Sequence, residues 1–159
     1  MTTASFCLLL FILNLTLALG AGIYEIRIVL PLWFVRQADG SILVDAAFMR
    51  QTDVGRRFWG MITTVPLTVL TLINLCYALT TGAHANAWWL CGALLILAER
   101  LATFAFFIPA AIALQSNDAL SVTGKSRLAM QWLRYNYLRN WAMGIGVLLC
   151  LAAFLSLSR

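Results

Sequence analysis

Charge is what this sequence has least of. Of its 159 residues only 11 are lysine or arginine and 6 aspartate or glutamate, against 62% hydrophobic residues, and the mean hydropathy is +0.88. A soluble domain carries about 25% charged and about 45–50% apolar residues, so a fold surrounded by water is excluded. Histidine is scarcer still. The single copy, His84, excludes paired-histidine haem ligation and a histidine-rich iron site, and no CxxC or mixed Cys/His spacing points to a zinc centre. We therefore expect neither a metal nor a cofactor. Internal repeats, low-complexity tracts and inverted symmetry are also missing, which argues against a transporter assembled from paired halves.

What the chain has instead is long apolar runs. A membrane-spanning helix needs about 20 mostly apolar residues, and four windows supply them: Ser5 to Ile23, Phe58 to Leu79, Ala87 to Ile112 and Trp132 to Leu157. Taken to their full extent these give spans at about 5–30, 58–80, 87–113 and 132–157. Connections this short force neighbouring helices to be antiparallel, so the expected fold is all-α: a single-domain, up-down four-helix bundle integral to a membrane. A cleaved signal peptide is the competing account of residues 1–22, where LALGAG resembles a cleavage region. The run has no basic residue before it and stays apolar through IRIVLPLWF (26–34), which favours a span. Pro31 is expected to end that helix. Beyond it, Asp39-Gly40 marks a turn, and Ile42, Ala46 and Met49 share one side of a short surface helix expected over 41–50.

The few basic residues are unevenly placed. Arg27, Arg36, Arg50, Arg56 and Arg57 surround the first connection and Lys125, Arg127 and Arg134 the third, whereas TTGAHANA between the middle spans has none. Basic residues at span ends mark the cytosolic side. This predicts an inner (plasma) membrane protein with loops 31–57 and 114–131 in the cytosol and both termini outside. The same residues attract anionic membrane lipids, and with no soluble domain to present a groove, nucleic acid is not an expected partner. Cys7, Cys76, Cys91 and Cys150 fall on four different spans in the outer half; disulfides are one reading, small apolar packing residues the more economical one. Gly20 and Gly22, and Gly144 and Gly146, permit close helix approach, within one bundle or in a homo-oligomer. Thr64, Thr68 and Thr71 form a stripe beside Pro66, which either lines a pocket or bonds backbone carbonyls around a kink.

Glu99 and Arg100 stand in the middle of the third span, in LLILAERLATFAFFIPAA. An ionised residue there costs about 2.5–3.5 kcal/mol and calls for a partner away from lipid. Adjacent helical residues point about 100° apart, so each is expected to address a different neighbour. Arg100 shares its face with Thr103, Phe104 and Phe107, and in the fourth span Trp132, Asn136, Arg139 and Met143 lie on one stripe. Counting about 1.5 Å per residue from the outer end puts Arg100, Arg139 and Glu25 at about 20, 27 and 31 Å. We expect a buried cluster of Glu25, Arg100, Asn136 and Arg139 with Glu99 and Tyr24 nearby. Such a network either fixes helix register or, with Phe104, Phe107 and Trp132 beside it, binds a hydrophobic small molecule that carries oxygen atoms.

ERLATFAFFIPAAIAL in the third span, Trp132, Asn136 and Arg139 opening the fourth and GAGIYE closing the first resemble the small four-helix membrane proteins grouped with the anthrone oxygenases. The resemblance covers most of the chain. In that family the tryptophan, asparagine and arginine of the last helix recur, matching Trp132, Asn136 and Arg139; the family's asparagine after the third-span proline is replaced here by Ala110 and Ala111. The resemblance implies cofactor-independent oxidation of a polycyclic phenol, with Arg100 or Arg139 stabilising an enolate and Glu25 or Glu99 as base. Two other readings stand beside it: a non-enzymatic lipid-binding or accessory subunit, and a small proton-coupled exporter using Glu25.

Overall fold

The computed structural model describes residues 2–80, 86–116 and 120–157. The chain begins with helix α1 (Thr3–Trp33). It then forms a hairpin of β1 (Phe34–Arg36) and β2 (Ile42–Val44), paired antiparallel with Phe34 opposite Val44. A short helix α2 (Ala46–Thr52) follows, and then α3 (Arg57–Thr80), α4 (Ala87–Gln115) and α5 (Val122–Leu157). Four of these helices, α1, α3, α4 and α5, are long and apolar enough to cross a membrane, and they pack as an all-α bundle. This is an integral membrane protein. His84 lies outside the described residues.

The connection after α1 differs from the surface helix expected over 41–50. Gly40 takes a left-handed φ of 81°, the tight turn that lets residues 34–36 and 42–44 pair. Asp39 Oδ1 accepts from both the amide and the hydroxyl of Ser41 at 2.9 and 2.7 Å, which holds its carboxyl below the ordinary range. Alternation in SILV competes with the helical spacing of Ile42, Ala46 and Met49; the strand wins up to Val44, and Asp45, accepting from the Phe48 amide at 2.8 Å, caps the shorter helix that begins only at Ala46. The hairpin is tied to the bundle by Ile42 N–H donating to Ser126 Oγ at 2.8 Å. Helix α5 accordingly starts ten residues before the expected span, so much of the third connection is helical.

Pro31 does not end α1. Each of the chain's 3 prolines directly follows a π-helical turn: Leu30 N–H bonds Glu25 O, Val65 N–H bonds Gly60 O and Ile108 N–H bonds Thr103 O, ahead of Pro31, Pro66 and Pro109. Proline donates nothing, and its ring crowds the carbonyl four residues back; a wider preceding turn moves that carbonyl aside and lets the helix go on. Ile62, four residues before Pro66, has its carbonyl oxygen satisfied by Asn14 Nδ2 of α1 at 3.2 Å. Helix α5 has no proline and is α-helical over its 36 residues. The π segments Glu25–Val29, Gly55–Thr64 and Thr103–Phe107 thus fall on three different helices.

Packing divides into two apolar layers. One contains Leu8, Phe11, Leu15, Leu67, Trp89, Ile96, Met143 and Cys150. The other, at the hairpin end, contains Leu30, Trp33, Phe34, Ile42, Met49, Phe107, Leu114 and Trp132. Along α1, α4 and α5 the buried polar residues Glu25, Glu99, Arg100, Thr103, Asn136 and Arg139 fall between the two sets. In the first layer Trp89 Nε1 donates to Asn74 Oδ1 at 3.1 Å, and Asn74 Nδ2 reaches Cys7 O at 3.3 Å, joining α4, α3 and α1. Thr68 and Thr71 donate to the carbonyls of Thr64 and Leu67, both at 2.6 Å, so these hydroxyls serve the backbone. All four cysteines are free.

Two of the four glycines singled out in the sequence make close contacts. A Cβ on Gly22 would strike Asn140 Oδ1, and one on Gly146 would lie 2.5 Å from Ile96 Cδ1 and 3.4 Å from Leu15 Cδ2. Gly20 and Gly144 meet nothing within 4 Å. Because Ile96 and Leu15 are fully buried and have no free volume to retreat into, Gly146→Val is expected to cost about 1–3 kcal/mol by overpacking. Gly144→Val should cost far less. Thermal unfolding of the two variants in one detergent checks this; equal midpoints would contradict the packing described.

Candidate functional site

The site is assembled around a buried ion pair. Arg139 Nη2 of α5 donates to Glu25 Oε2 of α1 at 2.6 Å, and the same oxygen accepts from Asn136 Nδ2 at 3.3 Å; the two charged side chains are 8% and 4% exposed. Glu25 opens the π turn of α1, and Asn136 and Arg139 are three apart on α5, so one α5 face holds the carboxylate from both positions. The guanidinium is held between aromatic rings, its Cζ 4.6 Å from the Phe107 centroid and 5.0 Å from that of Trp59. Trp132 stands edge-on to Phe107 at 5.4 Å. Cation–π contacts with a desolvated guanidinium are worth up to about 2 kcal/mol and here fix its plane as well.

A second pair lies alongside. Glu99 and Arg100 do not address different neighbours as expected: Arg100 Nε donates to Glu99 Oε2 at 2.6 Å, with Nη2 in contact with the same oxygen. Their Cβ atoms diverge, but both stems are long enough to bend back. Glu99 Oε1 is satisfied by Thr103 Oγ1 at 3.0 Å, one turn on, where α4 enters its π segment.

Glu25, Arg100, Thr103, Phe107, Trp132 and Arg139 line one cavity of about 320 Å³ with Trp59, Thr64, Asp53 and Gln115. Each of the three π segments contributes to its wall. Asn136 is fully buried, behind the ion pair. Glu99 is not on this wall and instead faces a neighbouring groove that shares Phe107 and Arg139. Tyr24 and Phe104, 60% and 49% exposed, do not line the cavity; Tyr24 stands beside Glu25 on a neighbouring groove. Trp59 and Asp53 were not foreseen. Trp59 sits in RRFWGM, which reads as the membrane-surface end of a span, and Asp53 follows a helix whose end the sequence does not mark.

Two buried donors on the cavity wall, Trp132 Nε1 and Arg139 Nε, have no hydrogen-bond partner among the described residues. An unmet buried donor costs about 1–3 kcal/mol, so an acceptor that reached either nitrogen would be held; both lie beneath the wall's surface, as does the unpartnered Trp33 Nε1 elsewhere in the bundle. Asp53 ends α2 as a left-handed C-cap with φ 42°, a conformation that aspartate adopts more readily than most non-glycine residues. Of the carboxylates Glu25, Glu99 and Asp53, only Asp53 has no hydrogen-bond or ion-pair partner among the described residues. The chemistry available is therefore a donor-rich wall, two arginines, aromatic faces and one uncommitted carboxylate. No group of three metal-ligating side chains is gathered among the described residues. No protein-family model, curated protein or solved structure matches this chain.

Proposed function

We propose that this membrane protein binds a compact oxygenated aromatic molecule in the cavity between its two apolar layers and oxidises it without a cofactor. The observation that carries this reading is the pair of unpartnered donors, Trp132 Nε1 and Arg139 Nε, on a wall that also offers Phe107 and Trp59 faces. A volume of about 320 Å³ is at the lower end of the ~300–1,000 Å³ typical of small-molecule sites and suits fused rings better than a two-chain phospholipid. The resemblance to the anthrone oxygenases supplies the reaction. A carboxylate takes the acidic C–H proton of an anthrone, and Arg100 with Trp132 holds the resulting enolate oxygen. Dioxygen then adds at the carbanion carbon, forming a C–O bond. Protonation gives a hydroperoxide, and loss of the remaining hydrogen on that carbon with cleavage of O–O releases water and leaves the quinone. Asp53 suits the base better than Glu25, whose carboxylate is already engaged by Arg139 and Asn136.

Purified protein in lipid nanodiscs, supplied with 1,8-dihydroxyanthrone, should consume oxygen and form the quinone faster than empty nanodiscs. Asp53→Asn should lower turnover at least about tenfold, the lower end of typical acid–base contributions being ~100-fold, with little change in anthrone binding. Oxygen uptake no faster than in empty discs would remove the catalytic part of the proposal. The double engagement of Glu25 favours a second reading, in which the cluster is structural and the protein is a lipid-binding or accessory subunit; a stoichiometric lipid retained after loss of Arg139 would support it. In either reading we place the hairpin end in the cytosol, since Arg27, Arg36, Arg50, Arg57, Arg127 and Arg134 are all exposed there.

A further inference from the structure

Beside the cavity, between α4 and α5, lies a groove of about 480 Å³. Its sides are mostly apolar, formed by Leu95, Ala98, Ala102, Phe106, Leu138 and Ala142, with Glu99 and Tyr135 the polar residues beside them. Alanine at 98 and 102 on one helix and at 142 on the other leaves the space between them unfilled, and Leu138, 67% exposed, stands at the rim toward the surroundings of the bundle. The floor is of a different kind. There the groove meets Phe107 and Arg139, the residues it shares with the cavity, and Arg139 brings a buried Nε with no partner among the described residues. An apolar trough open to lipid thus ends on the arginine that the cavity uses.

We propose that this groove receives the alkyl or isoprenoid tail of the same molecule whose oxygenated head occupies the cavity, so that the ligand class is a tailed phenol, quinone or enolisable ketone drawn from the membrane. The inference rests on the head-binding reading above. Two observations select this groove and this occupant. The groove adjoins the cavity at Phe107 and Arg139, which line both, so a chain attached to a ring at Arg139 has only these two side chains to pass. Glu99 also lines the groove, but that carboxylate is held by Arg100 and Thr103, and a methylene chain gains by leaving water or detergent for the surrounding alanine, leucine and phenylalanine surface. A larger groove of about 620 Å³ between α1 and α3 also touches the ion pair, through Glu25 and Trp59. There the contact with the ion pair is the Glu25 carboxylate, already committed to Arg139 and Asn136, and not the guanidinium.

The test uses two probes, 2-methyl-1,4-naphthoquinone and its 2-decyl homologue, titrated into the full-length protein in phosphatidylcholine nanodiscs and followed by quenching of tryptophan fluorescence. Wild-type protein should bind both, the decyl probe about tenfold tighter or more after correction for partition into empty discs. Ala102→Trp, which fills the groove from α4, should abolish that advantage while leaving the methyl probe's affinity within about twofold, the spread of an ordinary surface change. Ala142→Phe fills the same space from α5 and provides the answer independently where one variant does not fold. Ala21→Trp, in the groove between α1 and α3, should leave the advantage intact. If the methyl probe binds and the decyl advantage is absent, survives both groove fillings, or vanishes with Ala21→Trp alone, the tail assignment is overturned and the head site stands. If neither probe binds wild-type protein, the head-binding reading itself fails.

Discussion

Replacing Arg139 with methionine is expected to lower the unfolding free energy by about 3–5 kcal/mol, the range found when one partner of a buried ion pair is removed. The loss arises less from the missing attraction than from what remains: a Glu25 side chain 4% exposed whose one remaining donor among the described residues is Asn136 at 3.3 Å. Two aromatic faces, those of Trp59 and Phe107, lose their cation as well. Glu25→Gln alone should be costly for the converse reason, since it strands the guanidinium. The double variant Glu25→Gln with Arg139→Met removes both charges together and should recover a large part of either loss, because an apolar replacement for a buried pair is often neutral or stabilising. Unfolding titrations of the four proteins in mixed micelles measure the coupling directly. Additive losses would mean that the two charges do not share a site.

The second large effect concerns Trp132. Trp132→Phe keeps an aromatic ring against Phe107 and Phe34, which it contacts at 5.4 and 6.4 Å, but removes the unpartnered N–H. In the ligand-free protein that donor is an unmet cost of about 1–3 kcal/mol, and its removal offsets the lost ring volume. The stability of the free variant should therefore stay close to wild type. Naphthoquinone affinity should fall by about twofold to tenfold, since a hydrogen bond to a neutral carbonyl contributes about 0.5–1.5 kcal/mol. A purely structural tryptophan predicts the reverse: a clear loss of stability and no change in binding. Thermal unfolding and naphthoquinone titration on the same preparation separate the two outcomes. Trp132→Ala would not, because it opens a void in the layer that contains Leu30, Trp33 and Met49 and confounds both readouts.

These effects meet at residues of which some were legible in advance and some were not. Glu25, Arg100, Asn136 and Arg139 stand out in the sequence because an ionised or amide side chain inside an apolar run demands a partner, and helical counting puts them at similar depth. Phe107 and Trp132 follow from the spacing of their stripes. Phe104, 49% exposed and off the cavity, was put on the Arg100 face by the same counting. It assumed 3.6 residues per turn throughout, whereas the turns at Glu25–Val29 and Thr103–Phe107 are π-helical and alter the angular position of each residue around the axis. Trp59 escaped notice because it belongs to a ten-residue π segment, Gly55–Thr64, that the span-finding rules treat as a boundary. Asp53 depends on the end of α2 and a left-handed φ, neither of which has a glycine to announce it. The mutual pairing of Glu99 with Arg100 is a matter of side-chain reach, which residue spacing along the helix does not set.

By itself the sequence determined that this chain enters a membrane, with four runs long enough to cross it and a nearly balanced set of charges to be buried among them, because exposing apolar surface to water or charge to lipid is costly. Only the tertiary structure decided which of those charges face one another and where empty space remains. Those outcomes depend on three wide turns ahead of three prolines, on the bending of long side chains and on small residues at 98, 102 and 142. These are differences of a few kcal/mol or less, too local to be seen in any pattern of hydrophobicity.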